Sequence, residues 1–180
     1  KDVLFWRYDV SAVPERPRKA LDKLRQFPEL QFRSVRKSHM AEDVGIVMDI
    51  FNEAWADNWH FVPLTRSELR KMAEDLKLVL DERLAFIAEI DGKPAGICVA
   101  LPNICEPLAG CDGRLFPLGL AKLVWGLKVR RPSSARVILL GINHEFRTHR
   151  RYAGLDLALA AELAERGAEL GYRHAELGWT

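Results

Sequence analysis

Arg136-Val137-Ile138-Leu139-Leu140-Gly141-Ile142, with the turn Asn143 to Ala153 and the segment Gly154 to Gly171 behind it, is the stretch that decides the fold. The first part is a short apolar run with β-branched residues, the pattern of a strand buried on both faces. The turn is polar and strongly basic, with Arg147, His149, Arg150 and Arg151 crowded together. Gly154 opens a predicted helix that carries Leu155, Leu159, Leu163 and Leu170 on one stripe, and Gly171 stands where a C-terminal cap belongs. A strand feeding a basic turn into a helix N-terminus makes an anion site. The first-turn N–H groups have no partner inside the helix, and the helix dipole favours negative charge there. The turn is therefore expected to hold a phosphate-bearing ligand. An ordinary strand–helix connection with a solvated basic surface would read the same way.

Composition bounds the rest. A chain of 180 residues suits one domain, or one domain with an appendage, and 48% hydrophobic with 29% charged residues is ordinary for a globular protein. No apolar run approaches the ~20 residues that a membrane span needs, so no membrane partner is expected. Lys1 is not an initiator Met and no signal-peptide pattern follows it, so a piece of a longer chain in the cytoplasm is expected. Cys98, Cys105 and Cys111 cannot all pair internally, and they lack the short paired spacing of a zinc site; no metal is expected. The net charge is only +2, but eight Lys/Arg and one acid, Glu145, lie between Lys122 and Arg151, so that window carries +7. A local basic field on a nearly neutral chain suits a polyphosphate ligand better than a long duplex. Aromatic residues do not interleave with it as a single-strand platform requires, and nucleic acid is not expected.

Upstream, Lys1 to Tyr8 reads as a strand, Arg18 to Phe27 as a helix closed by Pro28, and Leu30 to Val35 as a second strand. Ala41 to Trp55 is a predicted helix that runs into a segment dense in aromatic residues. Asn58, Trp59 and His60 fall beyond its end and are the better candidates there for a pocket wall, with Phe51 and Trp55 closer to core residues. Thr65-Arg66-Ser67-Glu68 forms a capping box for a helix reaching Leu80, with Leu69, Met72, Ala73, Leu76, Val79 and Leu80 inward. Leu84 to Ile90, Asp91-Gly92 and Pro94 to Leu101 read as a β-hairpin, and Gly96 within it suggests a bulge or a close backbone approach. Pro102 to Gly113 reads as irregular. Leu115 to Leu127 reads as an apolar helix or lid beside a basic loop, able to cover a ligand or acyl chain or to dock a partner domain. Tyr172 to Trp179 alternates as a strand that offers His174 and Glu176 on its polar face. A right-handed crossover sets this last strand parallel to the Arg136 strand, with a ligand crevice at their carboxyl ends.

That order of elements resembles the GNAT (acyl-CoA N-acyltransferase) superfamily, and most of all the C-terminal half of bacterial tandem-GNAT-like proteins. The segments that carry the resemblance are Phe51-Asn52-Glu53-Ala54-Trp55, Trp59-His60-Phe61-Val62-Pro63-Leu64-Thr65, Gly113-Arg114-Leu115-Phe116-Pro117-Leu118-Gly119-Leu120, Lys122-Leu123 and Trp125-Gly126. The resemblance implies an α+β (mixed α/β) fold, a GNAT-like mixed sheet flanked by helices, with the C-terminal strands missing from this chain. Residues 1–30 would be the last strand of a preceding half plus a linker helix, and residues 31–180 an acyltransferase domain incomplete at its C-terminus. The implied activity is acetyl transfer, or transfer of another acyl group, from acyl-CoA to an unidentified amine. Partners would include a second GNAT-like half, and a homo-oligomer is compatible.

In the superfamily, pantetheine enters a gap between the fourth and fifth strands and the following loop cradles the pyrophosphate. Carried onto this chain, the cofactor residues are Leu140, Gly141, Ile142, Arg147, Thr148, His149, Arg150, Arg151 and Gly154. The usual loop has small residues where Arg150 and Tyr152 stand when counted from Arg147. Counted from Arg151, Gly154 matches but Asp156 replaces the last small residue. Asn58, Trp59 and His60 would face the amine. Glu176 and Glu89 are the base candidates, with His174 third. The superfamily's usual acid, a tyrosine after the fifth strand, has no counterpart in Tyr152 or Tyr172. The altered loop and the missing acid also leave room for a non-catalytic GNAT-like module that senses a ligand or docks a protein.

Overall fold

Alternating apolar residues give the strands, and leucine or isoleucine stripes give the helices that cover them. The computed structural model describes residues 6–76, 79–111 and 118–177. In chain order these form β1 (Trp6–Asp9), α1 (Glu15–Leu24), β2 (Leu30–Ser34), α2 (Met40–Trp55), α3 (Arg66–Leu76), β3 (Ala85–Ile90), β4 (Lys93–Pro102), α4 (Cys105–Ala109), α5 (Gly119–Trp125), β5 (Ser134–Ile142), α6 (His144–Arg147), α7 (Leu155–Glu169) and β6 (His174–Leu177). Among the described residues the strands make one six-stranded sheet in the order β1-β6-β5-β4-β3-β2. β5 and β6 run parallel, and every other neighbouring pair is antiparallel. This is the expected mixed sheet flanked by helices.

Two cores separate on the two faces of the sheet. Leu21 and Leu24 of α1 and Leu155, Leu159 and Leu163 of α7 bury against Phe86, Ala88, Ala95 and Cys98. Val47 and Ile50 of α2 bury against Ile87, Ile97 and Val99 on the other face. Of residues 1–30, expected as the last strand of a preceding half plus a linker helix, the described ones include β1 and α1. β1 is an edge strand of the same sheet, and α1 lies along α7. The expected inward face of α3 is only partly present, because Met72 is exposed, while Leu80 packs beside the α2 core. The side chains of Leu69 and Leu76 lie outside the described residues, as do residues 1–5, 77–78, 112–117 and 178–180.

Local chemistry fixes the register. Asp91 and Gly92, both at positive φ, close the β3–β4 hairpin in the mirror-image turn that matches strand twist. Thr65 and Glu68 form the expected capping box: the Thr65 N–H donates to Glu68 Oε2 at 2.9 Å and the Glu68 N–H donates to Thr65 Oγ1 at 3.3 Å. At the end of α7, Gly171 has φ 86°. The Tyr172 N–H reaches back to the Gly167 carbonyl and the Gly171 N–H to that of Ala168, which satisfies carbonyls the helix leaves open.

Two irregularities shape β4 and β5. Ala88 pairs with Gly96 and Glu89 with Pro94, so Ala95 is an extra residue on β4. Val99 pairs with Leu139 and Ala100 with Val137, so Ile138 is an extra residue on β5. Each bulge sharpens the local twist. Beside the first, Gly96 lets α7 approach: a Cβ there would stand 3.1 Å from Leu159 Cδ1 and 3.2 Å from the Gly141 carbonyl oxygen. Gly141 does the same for α2, since its Cβ would stand 3.3 Å from Ala54 Cβ.

Ion pairs pin the ends. Arg166 of α7 pairs with Glu162 at 2.7 Å, donates to Ser34 Oγ and the Phe32 carbonyl at 3.0 Å, and lies over the Phe86 ring. Asp43, fully buried at the start of α2, takes the Arg36 N–H at 2.7 Å and pairs with Arg36 and Arg33 at 3.0 Å. Burial raises the Asp43 carboxyl, but the Arg36 and Arg33 bonds outweigh it and hold the group below the usual carboxylate range.

Two consequences are testable. Gly96→Val should destabilise the fold by about 2 kcal/mol in denaturant titration, because backbone oxygen as well as a leucine tip stands in the way. Because the Asp43 carboxyl is depressed in the folded state, its stabilisation is present above the ordinary aspartate pKa and is lost as pH falls through the folded value. The melting temperature should therefore drop on acidification below about pH 4, and Asp43→Asn should flatten that dependence.

Candidate functional site

The site begins where the pairing of β5 stops. β6 pairs with β5 from Ser134↔His174 to Val137↔Leu177. Beyond that, and beyond the bulge at Ile138, the β5 edge from Leu139 to Ile142 has no β6 partner among the described residues. A cavity of about 310 Å³ opens along this edge. Leu140, Gly141 and Ile142 form its floor, Ala54 and Trp55 from the end of α2 one wall, and Arg147, Gly154 and Asp156 its mouth.

The mouth is the first turn of α7. Gly154 caps the helix at φ 94°, a left-handed conformation in which a side chain would be strained. The preceding basic turn is not a loose loop. It contains α6 and a single tight turn at Arg150–Tyr152, and two buried aromatic residues anchor it. Phe146 and Tyr152 meet at 6.0 Å between ring centroids, and Phe27 packs edge-on against Tyr152 at 6.0 Å. Asn143 starts the turn by accepting the Glu145 N–H on its side chain at 3.0 Å. Burial, and then the Glu29 charge, push the Tyr152 hydroxyl above its ordinary range, so it stays protonated and donates to Glu29 Oε1 at 3.3 Å.

The four basic side chains go different ways. Arg147 is exposed on the cavity wall, and no ion pair reaches it among the described residues. Arg151 turns aside, pairs with Glu29 at 2.5 Å and lies 4.8 Å from the Phe27 ring centre. His149 stacks on Tyr152, while Thr148 and Arg150 are exposed. Asp156, an acid in the first turn of α7, also lines the cavity. Of the expected cofactor residues, the structure thus brings Leu140, Gly141, Ile142, Arg147 and Gly154 together on one surface.

The expected acid–base residues are spread out. Glu176 sits beside the last β5–β6 pairs, with Arg136 at 2.8 Å and the Asn103 amide at 3.4 Å from its carboxylate. His174 lies two pairs earlier on the same face of β6. Glu89 lies on β3, two strands away from β5, and is paired with Arg33 at 2.6 Å. Asn58, Trp59 and His60 are all exposed beyond α2 and do not line the cavity, and Trp59 stacks on His60 with centroids 3.7 Å apart. Their loop is clamped instead by Asn52, whose side-chain amide exchanges two hydrogen bonds with the Leu64 backbone at 3.0 and 3.1 Å. Burial pushes the Cys98 thiol up to about 12, so it is no nucleophile.

The +7 window is not one patch. Lys122, Arg130 and Arg131 lie at the start of β5 and Arg147 and Arg150 at its end, roughly 25 Å apart by strand rise. The apolar helix α5 accordingly sits beside the first group and not beside the phosphate-type turn.

No protein-family model matches the chain. It is 40% identical over 147 residues to a protein of Caulobacter vibrioides named bacterial ceramide synthase, a match that covers 82% of this chain and 38% of that protein. It is 36% identical over 181 residues to protein YghO of Escherichia coli, covering 99% of this chain and 46% of that one. The chain thus spans less than half the length of these two relatives. Among solved structures it resembles a GCN5-related N-acetyltransferase from Sphaerobacter thermophilus, with a TM-score of 0.56 at 16% identity over 84% of this chain and 36% of that one. Similar architecture at such low identity speaks for the fold, and the chain has the fold of the GCN5-related N-acetyltransferases, the GNAT superfamily.

Proposed function

We propose that this chain is the acyl-CoA-binding part of an N-acyltransferase. The observation that carries the reading is the cavity along Leu140–Ile142 of β5, an edge without a β6 partner among the described residues, running into the capped N-terminus of α7 with Arg147 beside it. An extended ligand chain finds backbone donors and acceptors along Leu139–Ile142, and a diphosphate finds the first-turn N–H groups of α7. Gly154 keeps that turn clear of a Cβ, and Arg147 adds an exposed cation. Asp156 is the discordant residue, since its charge opposes an anion at the same turn.

Acyl-CoA supplies an activated thioester carbonyl. The amine must lose a proton to attack it, a C–N bond forms as the C–S bond breaks, and the departing thiolate takes up a proton. Glu176 is the better of the two candidate carboxylates for attracting the ammonium and receiving its proton, because it lies on β6, the strand beside β5, opposite Arg136. Glu89 is tied to Arg33 on a distant strand. The name of the Caulobacter relative favours an acceptor amine borne on a lipid, since a ceramide is a fatty amide. The cytoplasm suits acyl-CoA chemistry, and a second GNAT-like half would account for the remaining length of the relatives.

A non-catalytic sensing module is the second reading, and Asp156 at the anion turn favours it. Acyl transfer from acetyl-CoA or a longer acyl-CoA to any of a panel of amines, including long-chain bases, would eliminate it.

Titration calorimetry of CoA against the full-length protein is the direct check. Arg147→Ala should weaken binding about tenfold, the loss of one charge-assisted phosphate contact. Arg151→Ala should leave affinity nearly unchanged and lower the melting temperature slightly, since its partners are Glu29 and Phe27. Asp156→Asn should tighten binding severalfold at low salt and less at high salt. Absence of binding, or equal losses for Arg147→Ala and Arg151→Ala, contradicts this arrangement.

A further inference from the structure

Many of the large apolar side chains that the fold leaves exposed are concentrated at the end of the molecule opposite the acyl-CoA turn. Leu118 is 69% exposed, Trp125 63% and Val129 58%, with Leu120 and Ile104 exposed beside them. Leu118, Lys122, Trp125 and Val129 follow one another at spacings of four, three and four residues. That spacing aligns them on one outward ridge of α5 and of the wider helical turn at Gly126–Arg130 that continues it. The ridge is held firmly from behind. Gly126 packs on Pro107 of α4 so closely that a Cβ would stand 2.5 Å from it, and Glu106 takes the Ser133 and Ser134 N–H groups at 2.7 and 3.0 Å.

The charge of the same face is mostly positive, with Glu106 on the cavity wall tied to the Ser133 and Ser134 N–H groups. Between Leu118 and Arg131 the sequence has four Lys/Arg and no acid, although the whole chain carries only +2. A cavity of about 1180 Å³ adjoins the ridge, with Lys122, Trp125, Arg130, Arg131 and Arg173 on its walls. Arg131, at positive φ, donates to the Leu170 carbonyl at 3.1 Å and so fixes this wall to the end of α7. Among the described residues no helix is long and apolar enough to cross a membrane, which bears on insertion and not on attachment at the surface.

We propose that the α5 ridge and the basic walls of its cavity dock on an anionic lipid bilayer. An apolar row with tryptophan on it enters the headgroup boundary, while lysine and arginine beside it meet lipid phosphates. A protein partner that matched the apolar row would also need acids against Lys122 and Arg130; an anionic membrane satisfies both demands with one surface. Residues 118–131 carry +4 on a chain whose net charge is only +2, so this face attracts a negatively charged surface. The inference is independent of the acyl-CoA reading, which concerns the other end of β5.

The test uses the full-length protein and vesicles of phosphatidylglycerol and phosphatidylcholine in equal parts, with pure phosphatidylcholine vesicles for comparison. The protein should sediment with the first and much less with the second. Leu118→Ser with Trp125→Ala should weaken binding about tenfold, and so should Lys122→Glu with Arg130→Glu. Amide hydrogen exchange on the unmodified protein provides a second readout: residues 119–130 should slow only when the mixed vesicles are present. Equal binding to both vesicle types, no binding, or a double variant without effect overturns the proposal. CoA titration is read separately, so failure here leaves the transferase reading standing and failure there leaves this one.

Discussion

The structure turns on one extra residue in a strand. Ile138 has no counterpart on β4, and the bulge it makes follows Val137, the last β5 residue paired with the described part of β6. Leu139 to Ile142 pair with β4 on one side. Away from β4, Leu140, Gly141 and Ile142 line a cavity. Much of the remaining architecture keeps that edge in place. Gly96 and Gly141 let α7 and α2 close on the sheet from either side, and Arg166 and Glu162 tie the far end of α7 to β2 and α1.

On the proposed acyl-CoA reading, the turn after β5 would hold a diphosphate by different means from a glycine-rich loop. A glycine-rich loop presents backbone N–H groups by having no side chains in the way. Here Phe146 and Tyr152 bury themselves and hold the turn rigid, Gly154 alone supplies a positive φ, and Arg147 projects over the helix terminus. Such a site relies more on a side-chain cation than on converging amides. Its affinity for a diphosphate should accordingly depend more on salt than a backbone cradle would.

Much of this was legible in the sequence where periodicity was strong. The leucine stripe of α7, the Thr65–Glu68 cap, the hairpin at Asp91-Gly92 and the parallel return of β6 are local patterns with one physical meaning each. The site was legible only in part. Crowding of Arg147, Arg150 and Arg151 in sequence gave no hint that Arg151 folds back on Glu29, because that pair spans more than a hundred residues. The +7 window looked like a single patch because nine residues of strand intervene unseen, and a strand carries charge from one end of the molecule to the other. Trp55 read as a core residue, yet it walls the cavity, while Trp59 and His60 stack on each other in the open. Aromatic density marks a region without saying which ring faces in. The helical turns at α4 and α6 were missed for want of length, since neither fills two turns.

The claim that a ligand lies along the parted edge is most directly tested by amide chemical shifts in a CoA titration. The account predicts saturable shifts confined to Leu140, Gly141, Ile142 and the first turn from Gly154 to Asp156, with little change along α5. Shifts centred on residues 119–130, or none along the edge at concentrations that saturate the protein, would contradict it.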